Sequence, residues 1–432
     1  MSVTLVGLKA TERCKGLILD LTRGGAGVRR LFITTNTAGV VILLIALGNL
    51  GFGAQEIKTV FVIAMENHNW TQPEHRFTGG IQQIFQNRNA PFINSLVNGT
   101  AFVTIGGSQV HIGKQVAYAT AYHNVLATSS GHNPHIHPSG PNYIWSEAGT
   151  NFGISNDNDP YSGEGHSNQS TPLHLSTLLT MAGKTWKSYQ EDIDLTRTDS
   201  GTLTNVPLPQ DKWTVPLVSF SGFSSSYFNT YNGSSQFNYA AKHNPMVFFT
   251  DTNGGDNRTP ANPLSGHYAP LQQLLSDLAN NAVADYNWIT PDEYNDMHYA
   301  LGGSYKRLRG DAARIRQGDD FLSQIVPIIM ASKAYKDRGV IILWWDETES
   351  DRSWGDNPDD FNHTIPEIVI SPRAHANVNG LPYASPLPYT HSSDLRTMQE
   401  IFNAGPFLRD AANANDLSDL FQSDAIPKKP SK

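Results

Sequence analysis

An α/β fold built on a mostly parallel central sheet is what this sequence predicts, and three observations predict it. Apolar runs rich in β-branched and aromatic residues recur along the chain; helix-like patterns lie between several of them; and two of the runs end in clustered oxygen donors. Residues 59–65 (TVFVIAM) stop at Glu66-Asn67, and residues 340–345 (VIILWW) stop at Asp346-Glu347. Near-continuous apolar runs are the pattern of strands buried on both faces. Further strands are expected at 245–250 (PMVFFT), 284–290 (ADYNWIT) and 365–371 (IPEIVIS). Helices are expected at 173–182, where Leu175, Leu178 and Leu179 share a face, and at 319–335, where Asp319 and Asp320 supply an acidic first turn. A third is expected at 395–402, capped by Ser392, Ser393 or Asp394. Strands alternating with helices imply three layers, an αβα sandwich. Two stretches break the rhythm, 106–149 (rich in His, Ser, Gly and Pro) and 218–238 (rich in Ser, Gly, Asn, Phe and Tyr), and are expected as loop excursions over the sheet's rim.

The 432 residues carry a formal net charge of −8, unevenly spread. Residues 1–54 hold six Lys/Arg against Glu12 and Asp20, a net of +4, which leaves −12 for residues 55–432. An acidic body excludes nucleic acid as a partner, because phosphate binding by counterion release needs a basic face. Arg29-Arg30 precede an apolar core at 39–47 (GVVILLIAL), with small residues Gly51, Gly53 and Ala54 after it. That is the pattern of an export signal, with Arg29-Arg30-Leu31-Phe32 similar to a twin-arginine motif, and it predicts a secreted or periplasmic protein. The core is short for a membrane span, so no stable span is expected after cleavage. The expected organisation is a leader at 1–54, one catalytic domain at 55–426 and a disordered tail at 427–432. The single cysteine, Cys14, falls in the leader, so the mature chain is expected to have neither disulfide nor thiol chemistry.

Carboxylates at the carboxyl ends of two strands stand where open α/β sheets bind ligands. Glu66, Asn67, Asp346 and Glu347 would share one rim, and hard oxygen donors gathered there suggest a metal-assisted hydrolase. In His137-Pro138-Ser139-Gly140-Pro141-Asn142-Tyr143, two prolines bracket a serine beside a glycine, a turn that presents the hydroxyl outward. Serine becomes a nucleophile only when a base, a lowered pKa or a metal activates it. His243, before an expected strand, and His298, past the end of another, suit general acid chemistry or charge neutralisation on a phosphoryl group. His363 and His391 carry less weight. His111, His123, His132, His135 and His137 crowd one excursion without matching a zinc-ligand spacing; His123 and His137 are the stronger site members.

Taken in order, these segments resemble the bacterial phosphoesterase family of secreted acid phosphatases and phospholipases C, within the alkaline-phosphatase-like superfamily. Met65-Glu66-Asn67, the His137 to Tyr143 turn, Gly183-Lys184-Thr185-Trp186, Lys242-His243-Asn244-Pro245, Asn295-Asp296-Met297-His298, Gly318-Asp319, Trp345-Asp346-Glu347 and Thr390-His391-Ser392-Ser393 carry the resemblance, from about Lys58 to Phe421. It implies an alkaline-phosphatase-like fold, Ser139 as nucleophile through a phosphoserine, and Glu66, Asn67, Ser139, Asp346 and Glu347 around a divalent cation (Mg, Ca, Mn or Zn). It implies His243, His298 and His123 at the phosphoryl oxygens, with Asn67, Asn142 and His137 binding substrate. Gly140 and Tyr299 depart from the pattern; a glycine at 140 is expected to loosen the turn.

The expected activity is hydrolysis of phosphate monoesters. One alternative is a phospholipase C-type diesterase releasing phospholipid headgroups; another is a secreted binding protein on the same scaffold that has lost catalysis. A sulfatase-like activity is disfavoured by the missing cysteine.

Overall fold

The computed structural model describes residues 16–21, 29–34, 56–70, 84–124, 136, 138–163, 166–348, 364–377 and 379–427. The chain divides into two compact units, Met1–Ala54 and Gln55–Lys432. In the first, Gly16–Leu21 pairs antiparallel with Arg29–Thr34, which puts Arg29 and Arg30 on a strand. The apolar core at 39–47 lies outside the described residues, and no helix among the described residues is long and apolar enough to cross a membrane.

The second unit is organised by one eight-stranded sheet. Its strands in chain order are β1 (Thr59–Met65), β2 (Val116–His123), β3 (Trp186–Gln190), β4 (Tyr268–Pro270), β5 (Tyr286–Thr290), β6 (Gly339–Trp345), β7 (Glu367–Ile370) and β8 (Tyr383–Thr390). Across the sheet they run β4-β3-β5-β1-β6-β7-β2-β8. Every neighbouring pair is parallel except the two that β7 makes, with β6 and with β2. All residues of β5, β6 and β7 are buried, so both faces of the sheet are covered at these strands, as the apolar runs predicted. Helix α1 (Pro91–Asn98) packs on α5 (Gly310–Ala331); α2 (Ser139–Ala148) and α3 (Leu175–Met181) pack on α6 (His391–Phe402); α4 (Leu271–Asn280) lies against β3 and β4. The layered, mostly parallel α/β architecture is therefore present.

Four local expectations are corrected. Residues 245–250 are not a strand: Pro245–Phe248 is a buried 3₁₀ turn running into the helical turn Thr250–Asn253. Proline lacks the N–H a strand needs but suits a helix start, and a short buried run cannot be told from a strand by periodicity. The helix expected from 319 begins at Gly310, so Asp319 sits in its interior. Its carboxylate instead accepts the N–H groups of Phe92 (3.1 Å) and Ile93 (2.8 Å), capping the start of α1 from across the interface. The stretch 106–149 is no simple excursion, since it contributes β2 to the sheet and all of α2. Within 218–238, Phe220–Phe223 pairs with Gln236–Tyr239 as a hairpin.

Candidate active site

Parallel register builds the site. Met65 of β1 stands opposite Trp345 of β6, so the next residues, Glu66 and Asp346, emerge side by side at the carboxyl edge of the sheet. The two strand ends are tied together: the Asp346 N–H donates to the Met65 carbonyl (3.2 Å) and the Asn67 N–H to the Asp346 carboxylate (3.0 Å). Asn67 has φ of +50°, a left-handed turn that asparagine tolerates better than most residues. β5, on the other side of β1, feeds a loop whose Asp296 carbonyl accepts the Glu66 N–H at 2.8 Å.

Ser139 is the first residue of α2, after the extended Pro138, rather than the apex of a free turn. Its buried hydroxyl donates toward Glu66 Oε2 (3.1 Å) and Glu347 Oε1 (3.2 Å), so it bridges the ends of β1 and β6. One turn on, Asn142 donates to Glu347 (3.2 Å) and Tyr143 donates to Glu66 Oε1 (2.8 Å). Tyr143 stacks on His243 at 4.9 Å and meets Trp344 edge-on at 5.2 Å. Such aromatic pairs are worth about 0.5–1.5 kcal/mol each beyond burial, enough to fix the inner face of α2. Gly140 does not loosen this segment. A Cβ there would meet the Asn156 carbonyl at 3.0 Å and Asp157 Oδ1 at 3.2 Å, and the Gly140 N–H donates to that carboxylate at 2.8 Å. Glycine lets the 156–157 backbone close over the start of the helix.

His243 is buried between two carboxylates, Nε2 lying 3.0 Å from Glu66 and Nδ1 3.3 Å from Asp296. His298 faces it edge-on at 5.9 Å and meets the Tyr299 ring at 4.2 Å. Lys242 reaches Asp157 (3.1 Å) and Glu293 (3.8 Å). Burial, then Lys242, holds His243 well below the ordinary histidine range. The same causes, with Arg314 and His68 added, bring His298 down to about 3. The carboxylates move the other way: burial, then Asp346 and Asp296, push Glu66 well up; burial, then Glu347, pushes Asp346 up to about 8; burial, then Glu293, raises Asp296.

This donor set fits a divalent cation. Ligand atoms of Glu66, His243 and Asp296 lie within 4.8 Å of one another. Asp346 Oδ2, Asp296 Oδ2 and both His243 nitrogens are buried without a hydrogen bond of good geometry among the described residues. Buried carboxylate oxygens left in that state are costly unless a positive charge joins them.

Of the residues expected from the sequence, Ser139, Glu66, Asn67, Asp346, Glu347, Asn142 and His243 converge, with His298 at their edge. His123 is buried at the end of β2. His137 and His363 lie outside the described residues. Asp296, Tyr143, Lys242 and Asp157 were missed as site members. Asp296 was findable by the rule that found Glu66 and Asp346, a carboxylate shortly past an apolar run. His391 was underrated: its Nε2 lies 2.7 Å from the Asp346 carbonyl and 3.1 Å from Asn142 Oδ1.

A second buried acidic group, Glu191, Asp192 and Asp292, is not part of this site. Its oxygens are bonded: Asn229, Asn295 and the Asp292 N–H serve Glu191, Tyr227 and the Asn238 N–H serve Asp192, and the N–H groups of Tyr294 and Asn295 serve Asp292.

Among known proteins, the chain is similar to an acid phosphatase of Aspergillus fumigatus, 29% identical over 165 residues, which is 38% of this chain and 28% of that protein. A probable acid phosphatase of Kluyveromyces lactis is 26% identical over 162 residues, 38% of this chain and 30% of that protein. The matched stretch thus spans less than a third of either relative. Among solved structures, the PsFucS1 sulfatase of Pseudoalteromonas sp. aligns over 86% of this chain and 74% of its own, with TM-score 0.40 and 10% identity. The phosphonate monoester hydrolase SpPMH of Silicibacter pomeroyi aligns over 86% and 78%, with TM-score 0.38 and 10% identity. The sequence pattern of the Phosphoesterase family, by contrast, matches residues 52–405, most of the chain, and the protein belongs to that family.

Proposed function

We propose that the protein is an exported, metal-dependent phosphoesterase that hydrolyses phosphate monoesters through a phosphoserine on Ser139. The observation that carries this reading is the placement of one buried serine hydroxyl between Glu66 and Glu347, 3.1 and 3.2 Å away, at the rim where β1 and β6 end. A divalent cation held by Glu66, Asp346, Asp296 and His243, with Asn67 and Glu347 beside them, would supply charge neutralisation at the nucleophile and the phosphoryl oxygens. Ser139 Oγ attacks phosphorus in line with the ester oxygen. Its proton leaves along one of its two carboxylate contacts, the P–O bond to the leaving group breaks, and the leaving oxygen takes up a proton. Water then cleaves the Ser139 phosphoester and returns the proton to the serine. Asn142 and Tyr143 hold the carboxylates in register while this happens. His298, neutral in the free protein, gains proton affinity when a dianionic phosphate sits beside it, which suits it to donate to the leaving group. Export rests on the leader pattern at 29–54 alone.

A second reading, a diesterase acting on lipids, is favoured by the exposed apolar side chains of the 218–238 segment. Phe223 is 72% exposed and Phe228 59%, on a hairpin that runs directly into Lys242-His243. Hydrolysis of a chromogenic monoester by purified protein, with phosphatidylcholine in parallel and chelator in a third arm, tests both. Monoester turnover abolished by chelator is expected; headgroup release without monoester turnover would reverse the preference, and activity surviving exhaustive chelation would sink the metal.

A further inference from the structure

The segments that carry Ser139 and His243 are bridged by a third, residues 156–159, which the mechanism above does not use. Helix α2 begins without a capping side chain, since Pro138 stands before it. Prolines at 138 and 141 have no N–H, so the first turn offers only the N–H groups of Ser139 and Gly140. Asp157 Oδ1 accepts the second of these at 2.8 Å. A carboxylate from another loop thereby serves as the missing cap and puts negative charge at the positive end of the helix. Its other oxygen, Oδ2, accepts from Lys242 Nζ at 3.1 Å. One carboxylate thus reaches from the residue after the serine to the residue before His243.

The next aspartate repeats the connection. Asp159 accepts both the N–H (3.0 Å) and the hydroxyl (2.6 Å) of Ser219. That hydroxyl, its proton committed to Asp159, accepts the Ala241 N–H at 2.9 Å. Ala241–His243 is a single 3₁₀ turn, so the loop grips it at two successive residues. From the opposite side Thr290, at the end of β5, donates its hydroxyl to the His243 carbonyl at 2.9 Å. The turn is held between the sheet and the loop. The loop is itself folded tightly, Asn156 Oδ1 accepting the Asn158 N–H (3.0 Å) and the Ser167 hydroxyl (3.3 Å). Gly140 is what lets the loop cross the start of α2 at contact distance, with the Asn156 carbonyl where a Cβ would crowd it.

We infer that Asp157 is a positioning residue which, paired with Lys242, sets the separation between the Ser139 end of α2 and the His243 turn. It acts through Gly140 and Lys242 rather than on the substrate. The consequence for catalysis rests on the hydrolase reading; the capping of α2 by Asp157 does not.

The test compares full-length wild type with D157A, D157N, K242M and the double variant D157A/K242M. Hydrogen exchange is read at the Gly140 amide by mass spectrometry, and kcat and KM are measured on a chromogenic monoester. The Gly140 N–H has no partner inside the helix, so its protection reports Asp157 directly. In D157A its exchange should quicken about ten-fold or more while the amides of Ile144 to Ala148 stay protected. There kcat should fall roughly ten-fold and KM stay within about two-fold, the signature of a misplaced nucleophile. D157N keeps an oxygen for Gly140, so that amide stays protected, but its NH₂ cannot pair with an ammonium, and kcat falls as in K242M. The double variant should fall no further than D157A, because the same contact is removed twice. Gly140 exchange or kcat unchanged in D157A, a raised KM with kcat kept, or effects of D157A and K242M that multiply, overturns the inference. If D157A fails to fold, D157N and K242M decide, matched losses of kcat supporting the pair and unmatched ones overturning it. If the wild type hydrolyses no phosphate ester, the hydrolase reading falls and Gly140 exchange still decides the cap.

Discussion

Ser139 is the residue on which the proposed chemistry turns, and its replacement by alanine is the sharpest test. S139A removes the attacking oxygen and leaves the carboxylates in place, so kcat on a monoester should fall by about 10³-fold or more with little change in thermal stability. A binding protein on this scaffold would have no hydrolysis to lose. Asp346 offers a complementary test, since its Oδ2 is buried with no hydrogen-bond donor among the described residues. D346N should weaken metal affinity while raising the stability of metal-free protein, measured by thermal shift with and without chelator, because an uncharged amide relieves the repulsion from Glu347 and Glu66. Loss of stability in the metal-free variant would contradict this account of the cluster. Much at this scale was legible in the sequence. Glu66, Asp346 and Ser139 stand in motifs whose residue types declare their chemistry. Asp296 stands two residues before His298 in the same motif and makes the closer contact with His243.

At the scale of elements, the long helix α5 is pressed against the site through a glycine. A Cβ on Gly318 would meet Met297 Cγ at 2.4 Å and Met65 Cε at 2.9 Å. Met65 immediately precedes Glu66, and Met297, held at φ of +87°, lies between Asp296 and His298. A side chain at 318 therefore pushes on the end of β1 and on the loop after β5, both of which carry donors. G318V should cost about 1–3 kcal/mol of stability from overpacking and lower kcat more than KM rises, read by denaturant unfolding and steady-state kinetics. Unchanged kcat would show that the helix supports the fold without setting the site. The sequence pointed to Gly318-Asp319 but placed them at a helix start. Periodicity cannot reveal that Asp319 caps a different helix or that Gly318 makes room for two methionines.

For the whole molecule, buried acid dominates. Burial, then Asp192, pushes Glu191 up to about 8, and burial raises Asp192 to about 6. Between the ordinary carboxyl range near 4.5 and about 8, the folded state then holds more protons than the unfolded chain. Stability accordingly falls as pH rises through that window and levels off above it. With chelator present, thermal midpoints should be higher at pH 5 than at pH 8. E191Q should narrow the gap, because an amide has no proton to lose. A gap that E191Q leaves untouched would place the pH dependence in the site carboxylates, which a divalent cation would suppress and E191Q would not.

Fold class, the two carboxylate-ended strands, the serine segment and the family resemblance were determined by the sequence alone, because burial on both faces and the demands of phosphoryl chemistry act on residue type locally. The tertiary structure decided what depends on register and long-range packing. It paired Met65 with Trp345 so that Glu66 and Asp346 meet, put Ser139 at a helix start, and brought Asp296 and His391 to the same rim. No local pattern records such neighbours, since contacts between residues 45 to 280 positions apart are fixed only when one sheet closes around them.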